Sequence, residues 1–149
     1  MLFKDKECGN DLINKIKNVP IFKFDRVIKC NDVLKRDQTL NVPQLVFELN
    51  PNSLYTIVMT DPDAPISKMM NKQWLHWLVI NTRHTIVPYS PPNPPKGSGN
   101  HRYFVSLFKQ KKLIPSTNYT REDFDIIKFV NDNSLELQAF TKFIVASPK

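Results

Sequence analysis

Leu54-Tyr55-Thr56-Ile57-Val58-Met59-Thr60-Asp61-Pro62-Asp63-Ala64-Pro65 and, nine residues on, Trp74-Leu75-His76-Trp77-Leu78-Val79-Ile80-Asn81 decide the fold. Both are rich in β-branched and aromatic residues and have strand length. The first must stop at Asp61. Pro62 has no N–H to give to a sheet ladder and drives its predecessor away from helical backbone. In the second, two-residue alternation puts His76 on one face with Trp74, Leu78 and Ile80.

Working outward, His101-Arg102-Tyr103-Phe104-Val105-Ser106-Leu107-Phe108 is a third run of this kind, with His101 sharing a face with Tyr103, Val105 and Leu107. Further strands are expected at 21–25, 26–29, 45–49 and 140–145. Two helices are expected: a short amphipathic one over 11–17, capped by Asn10 or Asp11, and one over 121–130, capped by Thr120. Lys109, Lys111 and Lys112 read as a hairpin tip. Many strands joined by Pro- and Asn-rich turns predict a mainly β fold, a two-sheet antiparallel β-sandwich with a few short peripheral helices. With 149 residues, no repeat and no linker, residues 1–149 read as a single domain.

Composition narrows the classes. Hydrophobic residues make up 41% of the chain, enough for a real core, and no run approaches the roughly 20 apolar residues of a membrane span. A net charge of +7 favours anionic partners, but no nucleic-acid-binding motif is present. At most, peripheral membrane contact through lysines is expected. The N-terminus lacks the apolar core of a secretory signal. Cys8 and Cys30 are too few for a disulfide framework, so both are expected to be reduced and the protein cytoplasmic.

If the Asp61 strand runs antiparallel to the other two, Asp61, His76 and His101 meet at one end of the sheet. The chain has 3 glycines, and two of them flank Ser98, at Gly97 and Gly99. Such a turn can aim successive N–H groups into one concavity and bind an anion. Imidazoles, a phenol and amides suit a phosphate or carboxylate; Asp61 would orient a histidine or receive an ammonium group. Taken singly, His76 is more often a satisfied core residue, and Asp61-Pro62-Asp63 an ordinary turn.

Residues 54–81 and Pro94-Pro95-Lys96-Gly97-Ser98-Gly99-Asn100-His101-Arg102-Tyr103 resemble the two signatures of the phosphatidylethanolamine-binding protein family, in family order. The resemblance implies the same β-sandwich, without the C-terminal helix that borders the cavity in animal relatives. It implies an anion pocket that includes Asp61, Trp74, His76, Pro95, His101 and Tyr103, with Gly97 and Gly99 shaping the wall. Gln73 stands where many relatives have Glu, which would remove a charge beside the pocket. Pro91-Pro92-Asn93 replaces a turn that commonly bears glycine.

The function expected is a binding module, not an enzyme, without cofactor. It would take a phospholipid headgroup, a nucleotide or a phosphorylated side chain and modulate a signalling protein such as a kinase. The alternative is a protein-interaction or protease inhibitor acting through surface loops beside a vestigial pocket. Less expected is a hydrolase or zinc enzyme built on Asp61, His76 and His101, because Ser98 has no evident base and the spacing is not that of a zinc protease.

Overall fold

The computed structural model describes residues 21–64 and 72–149. The helix expected over 11–17 lies outside the described residues. The elements are β1 (Phe22–Lys23), β2 (Asp32–Leu34), a 3₁₀ turn (Arg36–Thr39), β3 (Gln44–Leu45), β4 (Leu54–Asp61), β5 (Lys72–Ile80), β6 (His84–Val87), β7 (Asn100–Gln110), β8 (Phe124–Asp125), α1 (Ile126–Asp132) and β9 (Glu136–Ala146).

The fold is mainly β and built on two sheets. One has seven strands in the order β2-β9-β7-β4-β5-β6, with β8 attached to β5; the other is the pair β1-β3. Every pairing is antiparallel except β2 with β9. β4 sits in the middle, buried on both faces from Tyr55 to Asp61, which is why its sequence is apolar with almost no polar relief. It runs antiparallel to both β5 and β7, as the site expectation required.

Two apolar layers flank the large sheet. On one face Ile57, Met59, Trp77, Tyr103, Val105 and Phe143 pack beneath the small sheet, where the Phe22 ring meets Trp77 edge-on at 5.5 Å. On the other, Val58, Leu75, Leu78 and Phe108 pack against Phe124, Ile126 and Phe129 around α1.

Local structure departs from expectation where single residues override periodicity. Asp123 takes a positive φ of 53°, and the next two residues pair with β5, so the helix starts at Ile126 rather than near 121. Its cap is Asp125, whose carboxylate accepts the Lys128 N–H, not Thr120. The expected strand at 26–29 reduces to an isolated Lys23–Val27 bridge after a turn in which the Phe24 N–H bonds Arg26. Only Gln44–Leu45 pairs in the 45–49 region, while the short strands β2 and β6 carried no sequence signal. Lys109 lies in β7, and no hairpin partner follows Lys111 and Lys112.

Cys30 is disulfide-bonded, a correction to the expected reduced thiol. Cys8 lies outside the described residues. No helix among the described residues is long and apolar enough to cross a membrane.

Candidate functional site

β4, β5 and β7 bring Asp61, His76 and His101 to the same end of the large sheet, around a cavity of about 510 Å³. Trp74, Pro95 and Tyr103 line it too, as the resemblance implied, along with Ala64, Ser90 and Asn93.

His76 reaches this cavity by a route alternation did not foresee. Met59 pairs with Trp77 and Thr60 with Leu75, so His76 is the extra residue of a β-bulge in β5. A bulge re-aims one side chain and flips the phase of those after it. Leu78 and Ile80 therefore lie on the opposite face from Trp74 and His76, a correction to the expected alternation. The disturbed ladder is held from outside. The Arg121 guanidinium donates to the carbonyls of Leu75 (3.1 Å), His76 (3.0 Å) and Pro88 (2.7 Å), and the Ser90 N–H donates to His76 O (2.9 Å). Arg121 also lies over the Trp74 ring at 5.3 Å, while the other neighbour of Trp74 is the His76 ring, at 4.5 Å. It clamps the pocket wall through β5 without itself lining the cavity.

The two imidazoles sit in opposite settings. His76 Nδ1 lies 2.6 Å from the Ser90 carbonyl. A carbonyl can only accept, so Nδ1 carries the hydrogen and Nε2 of the neutral ring is a bare acceptor. Burial pushes this imidazole down to about 4; the Ser90 bond opposes that, while the charges of Arg121 and His101 add to it. At neutral pH His76 is uncharged.

His101 Nδ1 pairs with Asp61 Oδ2 at 2.7 Å, and its Nε2 lies 2.9 Å from Ser98 Oγ. Ser98 Oγ is also 2.6 Å from the Pro95 carbonyl, which takes the only hydroxyl hydrogen. The Nε2 hydrogen must then belong to His101, leaving one further proton between Nδ1 and Asp61. Whichever atom holds it, the pair carries no net charge. Burial pushes the Asp61 carboxyl up, with the His101 bond opposing. Asp61 Oδ1 accepts the Asp63 N–H at 2.7 Å, which fixes the turn. Burial, followed by the charge of Asp61, also pushes the Tyr103 phenol up, so it remains a donor.

Among the described residues, two side-chain atoms are both sealed from solvent and unpaired, Gln73 Nε2 and Ser106 Oγ. Among the described residues His76 Nε2 and the Tyr103 hydroxyl have no hydrogen-bond partner either, and these side chains are buried too. What sets them apart is that both line the cavity.

The glycine turn does something other than expected. Gly97 and Gly99 take φ of 77° and 87°, left-handed values that favour glycine. However, the Gly97 N–H donates to Pro148 O, Ser98 N–H to Pro95 O and Gly99 N–H to Ser147 Oγ. The two glycine amides tie the turn to residues 147 and 148 and the Ser98 amide closes the turn on itself, so all three are engaged away from the cavity, and neither glycine lines it. Gln73 also points away: it is buried, and its Oε1 accepts the Thr60 hydroxyl at 2.5 Å. Sequence reading missed Arg121, which lay within a presumed helix, and Ser90, which acts through its backbone carbonyl and so leaves no side-chain signal. It also missed the clasp in which Asp63 accepts three Arg102 N–H groups, each at 2.9 Å, behind the Asp61 turn. No group of three His, Cys, Asp or Glu among the described residues is disposed to hold a metal ion.

A β-sandwich with a carboxylate–imidazole pair and a second histidine at one sheet end is the setting of the two signatures. The chain matches the model of the phosphatidylethanolamine-binding protein family over residues 22–144, and it belongs to that family. A Drosophila melanogaster protein provisionally named odorant-binding protein A5 is 36% identical over 103 residues, 58% of this chain and 49% of that one. The 26 kDa secreted antigen of Toxocara canis is 33% identical over 97 residues, 60% and 37% of the two chains. The chain thus spans half or less of the length of these relatives. Among solved structures, a carboxypeptidase Y inhibitor complexed with its cognate proteinase superposes with a TM-score of 0.69, at 25% identity, covering 87% of this chain and 82% of that one. The phosphatidylethanolamine-binding protein of Plasmodium vivax has a TM-score of 0.65 at 20% identity, covering 87% and 84%, and shares the fold.

Proposed function

We propose that this protein is a non-enzymatic binding module whose cavity takes the head of a phosphate-bearing ligand, whether a phospholipid headgroup, a nucleotide or a phosphorylated side chain. One observation carries the reading: two polar atoms without a partner among the described residues, His76 Nε2 and the Tyr103 hydroxyl, belong to side chains that line a cavity of about 510 Å³. Unpaired polar atoms in such a cavity are the usual mark of a ligand site. Asp61, Trp74, His76, Pro95, His101 and Tyr103 form the pocket in this reading, and Gly97 and Gly99 shape it only indirectly. Catalysis is not part of it. The Ser98 hydrogen is spent on Pro95 O, and the turn amides that could steady an oxyanion are engaged. Through the ligand, the module would modulate a signalling partner such as a kinase.

Calorimetric titration of phosphoethanolamine and phenyl phosphate tests this, with Tyr103→Phe as the variant that keeps the ring. A loss of about tenfold on removing one hydrogen bond to a charged group is expected. Saturable binding of neither compound ends the proposal.

A second reading is protein inhibition through the surface, which the superposition with the carboxypeptidase Y inhibitor favours. A partner pulled down equally by the native protein and by a His76/His101 double variant supports this reading over the first. Cytoplasmic residence also belongs among the proposals, and here the chemistry pulls the other way. Cys30 is disulfide-bonded, a state that persists in oxidising compartments. Alkylation and mass spectrometry of unreduced protein from its native source decides between them.

A further inference from the structure

Among the described residues that line the pocket, none offers an anion a full positive charge, although the chain as a whole carries +7. Asp61 and His101 neutralise each other, and Arg121 spends its donors on three carbonyls behind Trp74. Tyr103 brings one donor. His76 brings an acceptor, fixed in that role by the Ser90 carbonyl 2.6 Å from its other nitrogen. A lone pair facing a bare phosphate oxygen repels it; facing a P–OH or C–OH, it accepts a hydrogen bond.

Building on the function proposed above, we propose that the pocket selects ligands whose head carries a hydrogen of its own, namely the singly charged, protonated form of a phosphomonoester or a neutral hydroxyl, over the fully ionised dianion. Tyr103 would donate to one head-group oxygen while His76 Nε2 accepts from the protonated one. Discrimination then lies in the ligand's protonation, not the protein's. Among the described residues, the titratable and charged groups that share the cavity with His76 or act on its charge are Asp61 from β4, His101 and Tyr103 from β7 and Arg121 from the segment before β8. Burial together with Arg121 and His101 keeps the ring neutral down to about 4, so it does not titrate in the range where a phosphomonoester does.

Two probes separate the possibilities. Phenyl phosphate loses its second proton near pH 6, and phenyl sulfate carries one negative charge and no proton throughout. If the monoanion alone binds, the apparent affinity for phenyl phosphate should fall roughly 25-fold between about pH 5.5 and about pH 7.5, following the protonated fraction. Phenyl sulfate should bind weakly and equally at both. A parallel gain for sulfate on acidification would place the titrating group in the protein and overturn the inference, as would equal binding of phosphate at both pH values. Absence of binding by either probe at either pH would instead sink the phosphate pocket itself. An ¹⁵N long-range correlation spectrum of the free protein at neutral pH adds a check without ligand: Nε2 of His76 should be the bare nitrogen. A proton found there, with Nδ1 bare, would also overturn it.

Discussion

The two ends of the strands β4, β5 and β7 treat buried polarity in opposite ways. At the end away from the cavity, Gln110 lies between Thr56, Asn81 and Lys112. Its Oε1 accepts from the Thr56 hydroxyl (2.7 Å) and the Asn81 N–H (2.8 Å), and its Nε2 donates to Asn81 Oδ1 (2.9 Å) and Lys112 O (3.0 Å). Asn81 completes the circuit with Ile114, accepting its N–H at 2.9 Å and donating to its carbonyl at 3.0 Å. Each amide atom there has protein for a partner, and no cavity is needed. At the other end, His76 and Tyr103 each hold an atom without a partner among the described residues, and both side chains line one. A satisfied network stabilises and specifies the fold, whereas polar atoms left facing a hollow give up that stabilisation and keep it for a ligand.

The sharpest way to break this contrast is Gln110→Leu. It should leave the Thr56 hydroxyl and the Asn81 N–H buried without partners, costing roughly 3 kcal/mol at the 1–3 kcal/mol typical of each. For a chain of this size that lowers Tm by about 10 °C. Urea unfolding measures the loss, and phenyl phosphate affinity below the transition should stay at the native value. A coupled loss of affinity would mean that the two ends are not independent.

The next effect comes from the pocket end and is read by pH alone. His76 is held neutral in the fold, with its proton affinity pushed from 6.5 to about 4. The unfolded chain therefore binds a proton that the folded one refuses, and stability falls as pH drops from the first value toward the second. At 1.36 kcal/mol for each unit, the loss across that window is on the order of 3 kcal/mol. Thermal unfolding from about pH 7 to about pH 4 should show it, and His76→Gln should flatten that part of the curve. An equal slope in the variant would assign the acid sensitivity to another group.

Much of this site was legible because its determinants are local. Pro62 stops β4 at Asp61, and period-two runs mark β5 and β7. Antiparallel pairing then brings Asp61, His76 and His101 together with no further assumption. What escaped depends on contacts remote in sequence. The bulge at His76 is a one-residue offset against Met59 and Thr60, invisible to alternation within β5. The Ser90 carbonyl and the Ser147 hydroxyl act through groups that nearly every residue, or every serine, possesses, so nothing in their spelling marks them. Gly97 and Gly99 were rightly read as conformational, but where their N–H groups point is set by the arrival of residues 147 and 148. The two-residue strands β1 and β3 have too few positions to show any period.

Ser106 provides the control that separates an unpaired atom from a site. It lies in the middle of β7 opposite Val58 and Phe140, on the face away from Tyr103, with its hydroxyl sealed and unpartnered. Like the Tyr103 hydroxyl it lacks a partner; unlike it, no hollow adjoins it. If an adjoining hollow distinguishes a site from a packing cost, Ser106→Ala should remove a desolvation penalty and lose little packing, raising stability by up to about 1 kcal/mol. Tyr103→Phe should leave stability nearly unchanged and weaken the ligand. Urea unfolding of the two variants side by side, with phenyl phosphate titrated into each, reads both effects. Loss of affinity in Ser106→Ala would show that a sealed polar atom communicates with the pocket, and the distinction drawn from the two ends of the sheet would fail.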